Sequence, residues 1–186
     1  MEFKELGLSG AWLFEEKVHF DSRGSFQEWF RSDLIEEITG RAFPVIQANT
    51  SLSQKGVLRG IHFSANPIGQ AKWVTCTAGA IWDVLVDLRP ESKTFKKWIG
   101  IDLAGDDAKA ILVPERFGHA FVSLEENTKV SYLLTSAFAP RFEFGITPFD
   151  NDIGIIWPEM ELILSERDRN APTLAASISR LEYLDG

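Results

Sequence analysis

Residues 79–88 read Gly79-Ala80-Ile81-Trp82-Asp83-Val84-Leu85-Val86-Asp87-Leu88, with the alternation of a pleated strand. Ala80, Trp82, Val84, Val86 and Leu88 fall on one face, and Ile81, Asp83, Leu85 and Asp87 on the other. Working outward, residues 97–103, 110–113, 120–123 and 129–135 have a similar character, with Gly, Pro, Asn and Asp between them. Aromatic residues make up 12% of the chain, including 14 Phe and 6 Trp, and suit half-buried pleated surfaces. Residues 10–135 therefore read as β, and many short strands separated by turns predict an all-β sandwich or barrel. Helix signals are few. Asp33 is placed to cap a short helix, with Glu36 three residues on and Gly40 as its stop; Ser165-Glu166-Arg167-Asp168 reads as a capping box, and 173–180 could continue helically.

The length of 186 residues fits one domain, 1–186, and no repeat or low-complexity linker divides it. The net charge of −8 argues against a broad basic surface for nucleic acid or anionic lipid, while leaving room for a local anion site. No apolar run approaches the ~20 residues of a membrane span. The start, Met1-Glu2-Phe3-Lys4-Glu5, lacks the pattern of a signal peptide. With a single cysteine, Cys76, no intrachain disulfide framework exists. The expectation is a cytoplasmic protein with no membrane or nucleic-acid partner.

Only His19, His62 and His119 are available as imidazoles. In Gly56-Val57-Leu58-Arg59-Gly60-Ile61-His62-Phe63, strict alternation puts Leu58, Gly60 and His62 on one face, Arg59 and Ile61 on the other. A small Gly60 would leave His62 room to enter a cavity; the plainer reading is a rim histidine with one hydrogen bond. His119 follows the turn Pro114-Glu115-Arg116-Phe117-Gly118 and leads into Ala120-Phe121-Val122. A metal site of the His-x-His type is disfavoured, because Ser64 stands two residues after His62 and no Asp or Glu occurs between there and Gly79. Lys72 suits either a solvated loop or a strand mouth. Arg23 and Arg59 suit carboxylate pairing or phosphate binding. Tyr132 reads as a core aromatic or a functional phenol, and Asp168 as a helix-cap residue or the partner of an imidazole.

Several motifs together resemble the dTDP-4-dehydrorhamnose 3,5-epimerases. They are Asp21-Ser22-Arg23-Gly24-Ser25-Phe26-Gln27-Glu28, the His62 segment, Gln70-Ala71-Lys72, Asp83-Val84-Leu85-Val86-Asp87-Leu88-Arg89, Ser92-Lys93-Thr94-Phe95 and Trp98-Ile99-Gly100. Further along come Pro114-Glu115-Arg116-Phe117-Gly118-His119-Ala120-Phe121, Gly154-Ile155-Ile156-Trp157-Pro158 and Leu164-Ser165-Glu166-Arg167-Asp168. The resemblance implies a cupin-like jelly roll (a double-stranded β-helix) with a few short helices, forming a homodimer without metal or organic cofactor. It implies a dTDP-4-keto-6-deoxy sugar as substrate, inverted at C3, C5 or both. It implies His62 as base, Asp168 as its partner, Tyr132 as acid and Lys72 near the keto oxygen. Gln47, Asn49, Arg59, His119 and Phe138 would line the substrate, while Arg23, Phe26 and Glu28 would serve the nucleotide of a neighbouring subunit.

The chain departs from the family pattern at Ala137-Phe138, where two tyrosines are usual, and at Ala48, Thr50 and Ala71. These positions surround the substrate and leave open whether one or two centres are inverted, as in relatives of antibiotic pathways that invert one. A non-catalytic cupin that binds sugar nucleotides is the alternative, and it would not need His62 and Tyr132 together.

Overall fold

A computed structural model describes residues 2–65 and 69–177. In chain order its strands begin with β1 (Glu2–Glu5), β2 (Trp12–Glu15), β3 (His19–Asp21) and β4 (Gly24–Phe26). After helix α1 (Ser32–Thr39) come β5 (Gln47–Ser53), β6 (Val57–Ser64), β7 (Lys72–Ala78), β8 (Ala80–Asp87) and β9 (Trp98–Ala104). The remaining elements are β10 (Lys109–Val113), β11 (Phe117–Ser123), β12 (Thr128–Leu134), β13 (Glu143–Gly145), β14 (Ile163–Leu164) and the one-turn helix α2 (Glu166–Arg169). One sheet has the order β1-β2-β10-β7-β12-β5; the other runs β13-β6-β11-β8-β9, with β14 added in parallel to β6. Among the described residues, β3 and β4 pair only with each other. The expected all-β jelly roll is present, and among the described residues no helix is long and apolar enough to cross a membrane.

The alternation of residues 79–88 has a direct structural meaning, because both faces of β8 are covered. Ile81 and Leu85 meet Val74, Ile111, Phe121 and Val130 in the core between the sheets. Trp82, Val84, Val86 and Leu88 pack outside, under Ile146, Ile153, Trp157 and Leu174 of the C-terminal segment. The outer face of the first sheet is covered in turn by α1: Phe14, Trp73 and Leu112 lie against Ile35 and Phe43. Full burial of one such side chain contributes about 1.5–3 kcal/mol, so both covers add to the stability supplied by the central core. Asp87 ends β8 without exposure. Its carboxylate accepts bonds from Arg89, Ser92 Oγ and Thr94 Oγ1, tying the connection to β9.

Three local expectations are corrected. The residue before α1 that serves as its N-cap is Arg31, not Asp33; Asp33 lies in the first turn, paired with the Arg31 guanidinium, and Gly40 closes the helix with φ of 69° as expected. Strand β11 begins at Phe117, so His119 sits within the strand; the turn before it is made at Arg116, with φ of 65°. The third concerns β6. Its register against β11 pairs His62 with His119 but Arg59 with Phe121, a bulge of one residue that reverses the alternation. Arg59 therefore shares the inner face with His62, while Ile61 and Phe63 turn to the outer core. At Gly60 φ is 126°, and a Cβ there would collide with Ala120. The glycine permits close strand approach instead of clearing a cavity. In the C-terminal region Ser165 caps α2 as expected, accepting from the Asp168 amide. Residues 174–177 are helical, and the rest of the helix expected to 180 lies outside the described residues.

Candidate active site

His62 and Asp168 come together from elements far apart in the chain. On β6, the bulge turns His62 inward; the Ser165 cap starts a single helical turn that leaves the Asp168 side chain facing it. His62 Nε2 lies 2.6 Å from Asp168 Oδ1. The imidazole keeps a third of its surface accessible, whereas the carboxylate is buried. Burial by itself would raise the Asp168 pKa, but the hydrogen bond and charge of His62, with further bonds at Ser165 and Gly60, hold it below the usual carboxylate range. With Nε2–H donating to the carboxylate, Nδ1 carries the lone pair and is the basic nitrogen of the dyad. Arg59 and His62 line a groove of about 420 Å³ whose far wall includes Ser165, Arg167 and Asp168.

Tyr132 approaches from the opposing sheet. On β12 it lies directly across from Asn49 of β5 and packs against the inner core. Its partner on β7 is Val74, which makes Lys72, two residues along, its diagonal neighbour on the same face. Lys72 is half-buried. Desolvation lowers its pKa, opposed by the negative charges of Glu143 and Asp83. His119, opposite His62 on β11, is buried, with Nε2 2.8 Å from Asp83 Oδ2. Gln47 Nε2 donates to Asn49 Oδ1, and Gln47 Oε1 accepts from the Phe138 amide, so the exposed Phe138 ring is tethered at the mouth. Arg59 Nε donates to Ser53 Oγ across the gap between the two sheets.

Of the sequence-predicted residues, His62, Arg59 and Asp168 line one groove; His119 lies opposite His62; Tyr132 and Lys72 share a face of the other sheet, with Asn49 across from Tyr132; and Gln47 joins Asn49 to the exposed Phe138. Arg23, Phe26 and Glu28 do not join them. Arg23 is 87% exposed and pairs with Asp21; Phe26 is 67% exposed on the isolated β3–β4 hairpin; Glu28 follows that hairpin on the surface. Three further groups were not among the predicted site residues, although Asp83 reads in sequence as a carboxylate available to an arginine. The buried Ser51 Oγ, Asp83 Oδ1 and Glu143 Oε1 have no hydrogen-bond partner, and Asp83 and Glu143 act electrostatically on Lys72. Asp83 had a signal, an acid set between Ile81 and Leu85 on an apolar face. Glu143 had none, since its place follows only from the pairing of β13 with β6. Cys76 is buried and its thiol is pushed up to about 11 by that burial, consistent with its lack of a nucleophile motif. Among the described residues no group of three or more His, Cys, Asp or Glu side chains is arranged to hold a metal. A larger cavity, about 760 Å³, lies near Trp12, Arg41 and Arg89 and contains none of the predicted site residues.

A sequence profile described as dTDP-4-dehydrorhamnose 3,5-epimerase matches residues 5–176. The chain belongs to that family. A dTDP-4-dehydrorhamnose 3,5-epimerase of Mycolicibacterium smegmatis is 46% identical over 94% of this chain and 87% of its own length. Among solved structures, NovW of Streptomyces spheroides is described as a 4-keto-6-deoxy sugar epimerase from the novobiocin biosynthetic gene cluster. It superposes with a TM-score of 0.92 at 38% identity, covering 96% of this chain and 90% of NovW. ChmJ of Streptomyces bikiniensis, a 3'-monoepimerase solved with dTDP-quinovose, gives 0.90 at 42% identity with the same two coverages. The family is one of isomerases, and its members on this short roll include enzymes named for two centres and for one.

Proposed function

We propose that the protein inverts C3, C5 or both of a dTDP-4-keto-6-deoxyhexose by moving protons across the plane of the sugar. The observation that carries this reading is the His62–Asp168 dyad on one sheet, with Tyr132 and its diagonal neighbour Lys72 on the sheet opposite. A carbon beside a ketone is acidified by that ketone. His62 Nδ1 takes the proton, and the C–H electron pair forms a C=C bond as the negative charge moves to the keto oxygen. Asp168 supports the imidazolium so formed. The Lys72 ammonium stabilises the oxyanion as it develops. Tyr132 then gives its hydroxyl proton to the same carbon from the other side. The carbonyl re-forms, and water returns the two residues to their starting protonation states.

Gln47, Asn49, Arg59 and His119 bind the substrate around this axis, with Glu143 added from the geometry, and Phe138 offers a ring at the mouth. Arg23, Phe26 and Glu28 act on a second copy: among the described residues the β3–β4 hairpin pairs only with itself, and it carries Phe20 at 80% exposure, which supports a homodimer completed by hairpin exchange. The test is solvent deuterium. A dTDP-4-keto-6-deoxyglucose incubated with the protein in heavy water should gain deuterium at C3, C5 or both, and His62→Ala should nearly abolish this while nucleotide still binds. Absence of exchange with the unmodified protein would end the proposal.

A further inference from the structure

On the sheet opposite the dyad, a chain of hydrogen bonds runs from the backbone at the mouth to the residue facing Tyr132. Residues 135–138 leave β12 as a strap, and the strap is pinned at both ends. At one end Thr135 exchanges bonds with Ala71, the neighbour of Lys72. The Thr135 amide donates to the Ala71 carbonyl at 3.2 Å, and the Ala71 amide donates to Thr135 Oγ1 at 2.8 Å. Between the ends, the buried Gln70 donates from Nε2 to Oγ of the buried Ser136 at 3.4 Å. At the other end the Phe138 amide donates to Gln47 Oε1 at 2.8 Å. Gln47 Nε2 in turn donates to Asn49 Oδ1 at 2.9 Å. Asn49 lies on the same, less exposed face of β5 as Gln47, directly across from Tyr132.

A backbone N–H can only donate, whereas a carboxamide presents an acceptor at one end and a donor at the other. The Phe138 amide therefore fixes which end of Gln47 is its oxygen. With Oε1 so placed, Nε2 meets Asn49, and only the Asn49 oxygen can accept from it. The NH2 end of Asn49 is the one left for the substrate. We propose that Gln47 is a positioning residue that sets the polarity of Asn49, so that Asn49 meets the substrate as an N–H donor to one of its oxygens. The inference rests on the epimerase reading above and deepens it: of these two amides on the substrate wall, Asn49 makes the contact and Gln47 orients it. The keto and diphosphate oxygens of a dTDP-4-keto sugar only accept, so an asparagine turned the other way would set oxygen against oxygen. The bond from Phe138 removes that alternative before the substrate arrives, and a site ordered in advance binds more tightly. The departure from the family pattern at residue 138 leaves this arrangement intact, because the bond uses a main-chain amide that any residue except proline supplies.

The experiment is a double-mutant cycle on the full chain, read as KM and kcat for deuterium incorporation from a dTDP-4-keto-6-deoxyglucose. Gln47→Met keeps the length of the side chain and removes both bonds. It should raise KM roughly three- to tenfold, the worth of one oriented hydrogen bond, and leave kcat within about twofold. In an Asn49→Ala background the same change should alter KM by less than about twofold, because no amide remains to be oriented. In an Asn49→Asp background it should again do little, since a carboxylate has two like oxygens and no polarity to set. That background serves alone if Asn49→Ala does not fold. Should Gln47→Met not fold, Gln47→Glu takes its place in the same cycle, keeping the acceptor for Phe138 and removing the donor to Asn49. Equal rises in KM with and without the Asn49 amide would mean that Gln47 acts on the substrate by itself, and would overturn the proposal. An unchanged KM with a lowered thermal midpoint would reduce Gln47 to a structural tie and would overturn it as well. Failure of the epimerase reading is a different result, in which the unmodified protein itself incorporates no deuterium.

Discussion

Within the dyad, the 2.6 Å contact between His62 and Asp168 joins residues 106 positions apart, and the proposed base chemistry rests on it. Asp168→Asn keeps the side-chain volume and the Ser165 cap, which uses the backbone amide, but removes the charge that supports the imidazolium. Deuterium incorporation should fall by about 10²-fold or more, with the thermal midpoint little changed. A variant retaining half the original rate would contradict the assignment. The sequence offered two uses for Asp168, capping a helix or orienting a histidine, and the structure combines them: its amide serves the cap and its carboxylate serves His62. That combination is invisible in sequence, because it depends on where β14 sets α2 beside β6.

Among the elements, β6 and the β8–β9 connection carry the most exposed predictions. Gly60→Ala places a side chain at φ of 126° and against Ala120, so strain and overpacking act together. Loss of about 3 kcal/mol in urea unfolding is expected, with activity lost because the bulge orients Arg59 and His62. The β8–β9 connection gives a pH signature. Burial would raise the Asp87 pKa, but bonds from Arg89, Ser92 and Thr94 outweigh it and hold the folded value below the ordinary one. The stabilisation is thus fully present above the unfolded carboxylate pKa of about 3.9 and is lost as pH falls through the folded value. Asp87→Asn should be less stable at pH 7 and should show a flatter fall in stability below about pH 4 than the unmodified protein. Equal slopes in acid denaturation would contradict this. The alternation in β8 was legible because both its faces are dry. The β6 bulge was not, since an extra residue in one strand is defined only against its partner, β11.

For the whole molecule, the jelly roll could be read from strand-length apolar segments, and the family from motifs that are in order along it. What the sequence could not supply was the depth of each group in the roll. Ser51 and Glu143 look like ordinary strand polars until sheet pairing buries their oxygens. The exposed hairpin makes a prediction at this scale. Phe20→Asp should weaken self-association on dilution, read by sedimentation, and reduce nucleotide affinity, because Arg23, Phe26 and Glu28 would no longer reach a neighbouring site. An unmodified protein that stays monomeric at every concentration with full activity would contradict hairpin exchange. The central claim concerns two proton-handling groups on opposite sheets, and position-resolved deuterium incorporation tests it most directly. With Tyr132→Phe in heavy water, removal at His62 should continue while inversion fails, so C–H exchange proceeds with retained configuration. Full inversion at the unmodified rate in that variant would contradict the account.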